Sequence, residues 1–155
     1  MFSGEHIAKL DSKGRIVFPA QLKRQMSEIE LGNGFVVQRN KYAKSLTLHT
    51  KVNWDLINKD LLKKLNPAIS AKHDEFIRLF NLGVEPIFFD GSFRIIIPKH
   101  FLKLIDASTE IALLGQANRI EIWSKEEYKK LNTTNNVDFE NLTKELFGEN
   151  PIFND

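Results

Sequence analysis

Asp11-Ser12-Lys13-Gly14-Arg15-Ile16-Val17-Phe18-Pro19 returns in outline as Asp90-Gly91-Ser92-Phe93-Arg94-Ile95-Ile96-Ile97-Pro98. At a constant offset the Asp, the Arg, the Ile and the Pro all recur. In each copy a polar turn leads into a short β-branched or aromatic run, the composition of a strand. The proline that follows has its φ preset for a helical first turn and lacks only an N–H that a helix start would leave unpaired. The spacing therefore predicts a chain built twice around an Asp-x-x-x-Arg turn.

Working outward, residues 6–10 read as the strand entering the first turn and Arg15 to Phe18 as the strand leaving it. Pro19 then opens a short helix with Leu22 and Met26 on its apolar edge, and Gly32-Asn33-Gly34 is expected to stop it. Residues 35–39 and 45–49 read as two more strands joined by the polar loop 40–44. The second copy repeats the order: a strand from Val84 to Phe89, the turn, residues 95–97, a helix from Pro98 through Phe101, Leu102 and Ile105, and a hairpin of 110–114 with 119–123. Ser124-Lys125-Glu126-Glu127 has the form of a capping box, and Tyr128 there matches Trp54 after the first hairpin.

Between the copies, Trp54, Ile57, Leu61, Leu62 and Leu65 fall on one helical face. Asn66-Pro67 is expected to end that helix and cap a second one carrying Ile69, His73, Phe76, Ile77 and Phe80 up to Gly83. The expected organisation is thus residues 1–51 as a first unit, 52–83 as a helical linker, 84–131 as a second unit, and 132–155 as an acidic, Asn-rich mobile tail. In that tail Phe139, Leu142, Leu146 and Phe147 allow a turn or two of amphipathic helix. The class is α+β.

Composition narrows the function. With 42% hydrophobic residues in 155 the chain can bury a core, and no apolar run approaches the roughly 20 residues that cross a bilayer. Met1-Phe2-Ser3-Gly4-Glu5 has neither the basic start nor the apolar middle of a signal peptide, so a cytoplasmic location is expected. The absence of cysteine removes disulfides and thiolate metal ligands. The net charge of +2 conceals a gradient: residues 1–51 carry nine Lys/Arg against four acids, and 126–155 carry three Lys against seven acids.

Enzyme signatures are scarce. His6, His49, His73 and His100 are scattered without metal-ligand spacing, and no nucleophile elbow or phosphate loop is present, so neither a catalytic residue nor a metal or other cofactor is expected. The repeated turn is the compact polar constellation that remains. Asp11 with Arg15, and Asp90 with Arg94, can pair across each turn as structural clasps. The first copy adds Lys13 and Gly14, with Lys23-Arg24 one helix later, a basic edge suited to phosphates and, through arginine, to guanine.

The motifs together resemble the bacterial MraZ family: Met1-Phe2-x-Gly4-Glu5, Leu10-Asp11-Ser12-Lys13-Gly14-Arg15 with Pro19, Asp90-x-x-x-Arg94 with Pro98, and Asn118-Arg119-Ile120-Glu121-Ile122-Trp123-Ser124-Lys125-Glu126. The resemblance spans roughly residues 1–131. It implies a transcriptional regulator of two tandem, pseudo-symmetric AbrB-like units, a swapped-hairpin β-barrel with helices around it, assembled as a closed ring of identical subunits. It further implies binding to double-stranded DNA at short direct repeats in the promoter of the division and cell-wall gene cluster, and association with the nucleoid. The family's DNA-contacting turn maps onto Lys13, Gly14 and Arg15; Lys23 and Arg24 are added on charge alone. Phe93 stands where family members often keep glycine, so the second turn is expected to be mainly structural or inter-subunit. AbrB-like barrels also occur in antitoxins, where a C-terminal segment wraps a toxin; Phe139, Leu142, Leu146, Phe147 and Phe153 would be its anchors here.

Overall fold

In the computed structural model, which describes residues 1–133 and 136–148, the chain forms one compact body from Met1 to Lys125 and a second unit after it. Eight strands and five helices make up the first body: β1 (Glu5–Lys9), β2 (Arg15–Val17), α1 (Ala20–Lys23), α2 (Glu28–Asn33), β3 (Phe35–Arg39), β4 (Leu46–Thr50), α3 (Lys51–Lys64), α4 (Ala71–Asn81), β5 (Glu85–Ile87), β6 (Arg94–Ile96), α5 (Lys99–Leu104), β7 (Glu110–Gln116) and β8 (Arg119–Ser124). The fold is α+β, and every strand pairing is antiparallel.

The sheet order states the duplication in physical form. Six strands run β1-β7-β8-β4-β3-β5, and β2 and β6 pair separately as a two-stranded ribbon. Exchanging each strand for its counterpart in the other copy and reading backwards returns the same order, which is the mark of a pseudo-twofold axis between β4 and β8. The pairing is also exchanged: β1 lies on β7, β5 on β3, and β2 on β6, so each copy completes the other. The strands do not close into one hydrogen-bonded barrel; two sheets share a core instead. Ile16, Leu22, Phe35, Leu46, Leu48, Ile95, Ile97, Ile111, Leu113, Ile120 and Ile122 are fully buried there. Phe18, Phe35 and Phe89 form an aromatic triad with ring centroids 5.2–5.3 Å apart.

Exchange makes the halves interdependent. A chain ending at residue 83 lacks β7 to pair with β1 and β6 to pair with β2. We expect it to be unfolded or dimeric, as gel filtration and circular dichroism would show; a stable folded monomer would contradict the exchanged pairing.

Three local expectations need correction. The helix opened by Pro19 is two helices, because Ser27 and Glu30 form a capping box that starts α2 afresh: Glu30 N donates to Ser27 Oγ at 3.1 Å and Ser27 N to Glu30 Oε1 at 2.9 Å. Gly32 and Asn33 lie inside α2, and Gly34, at φ 72°, ends it. The second linker helix begins after Ser70, whose Oγ accepts from His73 N, whereas Asn66 and Pro67 stand in the connection. His73 is satisfied, its Nδ1 accepting from Asn66 N at 2.9 Å. In the second unit, α6 (Lys125–Asn132) is followed by α7 (Asn136–Phe147), a twelve-residue helix rather than a turn or two. No Gly or Pro interrupts α7, Asp138 sits in its first turn and Lys144 in its last, as the helix dipole favours, and Gly148 at φ 67° terminates it. Phe153 lies outside the described residues.

Buried His49, on β4, sets a pH dependence. Burial first, and then the charge of Arg119, lower its pKa from 6.5 to about 4. The unfolded chain therefore binds a proton between those values that the folded chain refuses, and stability falls as pH drops from 6.5 towards 4. The loss from this group is roughly 3 kcal/mol across the window. Urea titrations of the parent and of His49→Gln at pH 7 and pH 4.5 should show the parent losing more; equal losses would refute the burial.

Candidate nucleic-acid interface

Each turn is closed by its aspartate. Asp11 Oδ1 accepts from the backbone N–H of Lys13 and of Arg15, both at 2.9 Å, while Oδ2 accepts from Arg15 Nε at 2.6 Å. The second turn repeats this arrangement. Asp90 Oδ1 accepts from Ser92 N at 2.8 Å and Arg94 N at 2.9 Å, and Oδ2 from Arg94 Nε at 2.8 Å. The backbone bonds match as well, Gly14 N to Asp11 O at 3.0 Å against Phe93 N to Asp90 O at 3.1 Å. These donors favour the ionised carboxylate: the Arg15 backbone N–H and then its side chain hold Asp11 down at about 2, and the Arg94 backbone N–H is the largest cause lowering Asp90.

The clasp leaves the business end of each arginine open. Nε is committed to the aspartate, which fixes the plane and direction of the guanidinium, and among the described residues neither Nη atom of Arg15 or Arg94 has a partner. The two turns also fasten each other, since Ile97 N donates to Gly14 O at 2.9 Å and Phe18 N donates to Phe93 O at 3.1 Å.

Ribbon register decides where the arginines point. Arg15 lies opposite Ile96, Ile16 opposite Ile95, and Val17 opposite Arg94. Because successive side chains alternate faces, Ile16 and Ile95 enter the core while Arg15, Val17, Arg94 and Ile96 share the outer face. Val17 and Ile96 are 69% and 52% exposed. Arg15 and Arg94 are diagonal neighbours on that face, a separation of about 7–8 Å across the strand pair. The outer surface of the ribbon is thus two clamped arginines with two bare aliphatic side chains between them.

Lys13 and Gly14 sit in the first turn as expected. Lys23 does not extend that turn; its Nζ lies 3.3 Å from the ring centroid of Phe93, in the second turn. Phe93 in turn packs on Phe89 of the aromatic triad at 5.6 Å. The residue that replaces the glycine therefore adopts the same left-handed backbone, φ 54° against 81° for Gly14, and ties the turn to the core and to a cation from α1. Arg24 is exposed at the C-terminus of α1 and its side chain makes no hydrogen bond or ion pair among the described residues. The arrangement on Arg94 and the role of Lys23 were not legible in single motifs, since Arg94-Ile95-Ile96 is polar-apolar-apolar and does not mark which isoleucine faces outward.

The chain is 36% identical over 145 residues to a protein of Flavobacterium psychrophilum named "Transcriptional regulator MraZ", covering 94% of this chain and 90% of that one. The chain belongs to the MraZ family. Relatives of the same name from Bacteroides fragilis, at 35% identity over 84% of this chain and 81% of theirs, and from Clostridium tetani, at 31% over 94% and 96%, extend the match. The family model described as "MraZ protein, putative antitoxin-like" matches residues 82–150. Within this MraZ-family fold no helix among the described residues is long and apolar enough to cross a membrane.

Proposed function

We propose that the outer face of the β2–β6 ribbon enters the major groove of promoter DNA and that the protein acts there as a sequence-specific transcriptional regulator, not as an enzyme. A two-stranded antiparallel ribbon fits the major groove, and an arginine held in one plane can meet guanine O6 and N7 through both Nη atoms. Val17 and Ile96 would meet thymine methyl groups, and Lys13 a phosphate beside the ribbon. The observation that carries this reading is the pair of Asp-clamped arginines on one exposed face with their Nη atoms unpartnered. The names of the relatives support it, and the nucleoid is the corresponding location.

One ribbon offers few base contacts, so affinity requires several ribbons in register. A closed ring of subunits meeting short direct repeats supplies this, because the first contact raises the effective concentration of the next. Fluorescence anisotropy on DNA from upstream of the gene, with one to four repeats, is expected to show affinity rising by well over tenfold from one repeat to several. Equal affinity for a single repeat would refute the multivalent mechanism.

The antitoxin reading has one observation in its favour: α7 carries Phe139, Leu142, Leu146 and Phe147, each at least half exposed. A stoichiometric protein partner that co-purifies with the parent and is lost when residues 132–155 are deleted would favour it.

A further inference from the structure

We propose a second binding site, for a small phosphorylated molecule with a flat ring, of the nucleotide class, in the cavity between the β3–β4 loop, the β7–β8 turn and helices α3 and α4. The cavity measures about 470 Å³ and shares no lining residue with the β2–β6 ribbon. That volume is within the usual range for small-ligand pockets and far larger than a bare phosphate needs.

Its charge is unbalanced. Arg39, Lys41 and Arg119 all line it, and among the described residues no carboxylate lies within ion-pair distance of any of them. The single acid of the wall, Glu121, is buried and already engaged: Asn40 Nδ2 donates to it at 3.0 Å and Trp123 Nε1 at 3.2 Å, and the Gln116 amide, oriented so that its NH2 rather than its oxygen faces the carboxylate, donates to both oxygens at 2.9 Å. Glu121 is thus held by neutral donors, leaving the three cations to an outside anion.

His49 gives independent support. It lines the cavity and is only 7% exposed. Gln38 Nε2 donates to Phe80 O at 3.1 Å, so Gln38 Oε1 is the acceptor facing His49 Nε2 at 3.3 Å, and His49 carries its proton on Nε2. Nδ1 is left as a buried acceptor without a partner. The charge of Arg119 also disfavours the imidazolium.

The opposite wall is aromatic. Trp54 stacks on Phe80 with centroids 5.3 Å apart and planes 2° from parallel, and Phe76 continues the stack at 6.2 Å. Phe76 and Phe80 line the cavity, and Lys41 Nζ lies 5.2 Å from the Phe80 centroid. A flat ring against this wall with phosphates towards Arg39, Lys41 and Arg119 satisfies both surfaces. The chain's two tryptophans adjoin the site, Trp54 through Phe80 and Trp123 through Glu121, and give a built-in readout.

The test is calorimetry and tryptophan fluorescence on the full chain with ADP, adenosine and inorganic phosphate as separate probes. We expect ADP to bind with Kd below about 1 mM, and adenosine and phosphate each to bind at least about tenfold more weakly. Arg119→Gln and Arg39→Gln, with thermal unfolding matching the parent, should each weaken ADP at least about tenfold, while Arg15→Ala leaves ADP binding unchanged. Absence of ADP binding, phosphate binding as tightly as ADP, or loss of ADP binding in Arg15→Ala but not in Arg119→Gln would overturn the site. Because the variants separate cavity from ribbon, failure here leaves the DNA assignment standing.

Discussion

Arg94→Ala is expected to weaken binding to the promoter repeats about as much as Arg15→Ala, although only the first turn carries the glycine and the neighbouring lysine. Both arginines are clamped through Nε by an aspartate, at 2.6 and 2.8 Å, and both present Nη atoms from the same ribbon face. A bidentate arginine–guanine contact contributes about 1–3 kcal/mol of discrimination, so each substitution should cost roughly tenfold to a hundredfold per ribbon and more when several ribbons bind together. Anisotropy with the repeats and with a scrambled duplex separates lost specificity from lost charge. Light scattering should show unchanged oligomer size, since the side chains project from the outer face. If Arg94→Ala binds like the parent, the second turn is structural, as the sequence alone suggested, and the ribbon reads DNA from one end only.

Gly14→Ala should be the most damaging single-methyl change in either turn. Gly14 sits at φ 81°, and a Cβ there would lie 2.7 Å from Ile97 O and 3.3 Å from Leu102 Cδ1. The backbone oxygen cannot move without breaking the bond that Ile97 N makes to Gly14 O. Left-handed strain and overpacking each cost about 1–3 kcal/mol, so a loss of about 2–6 kcal/mol is expected in urea unfolding. Phe93→Gly is the control. It relieves the strain at φ 54° but removes the packing on Phe89 and the contact with Lys23, and the net change should stay within about 1 kcal/mol. Gly14→Ala unfolding at the parent's urea midpoint would mean that the two turns are not fastened to each other.

Much of the framework was readable before any coordinates. The β-branched runs in Arg15-Ile16-Val17 and Arg94-Ile95-Ile96 marked the strands, the prolines marked the helix starts that follow, and the shared offset marked the duplication. The errors fell where two local signals competed. Leu22 and Met26 suggested one helix, but Ser27-x-x-Glu30 satisfies a fresh helix start and splits it. Asn66-Pro67 looked like a cap, yet Ser70 makes the bond to His73 N. For α7, the polar composition masked a helix whose apolar residues recur at 139, 142 and 146.

By itself the sequence determined that the Asp-x-x-x-Arg pattern occurs twice, that its Asp and Arg stand close enough to pair, and that the positive charge lies towards the first half. The turn features depend on residues four apart or less and the charge gradient on composition alone, so neither needs the tertiary fold. Only the tertiary structure decided that the turns are fastened to each other, that Arg15 and Arg94 face the same way, and that Lys23 serves the second turn. Each of these depends on the pairing of β2 with β6, residues nearly eighty positions apart in register. That partnership is set by burial of Ile16 and Ile95 in a common core and leaves no mark in either strand alone.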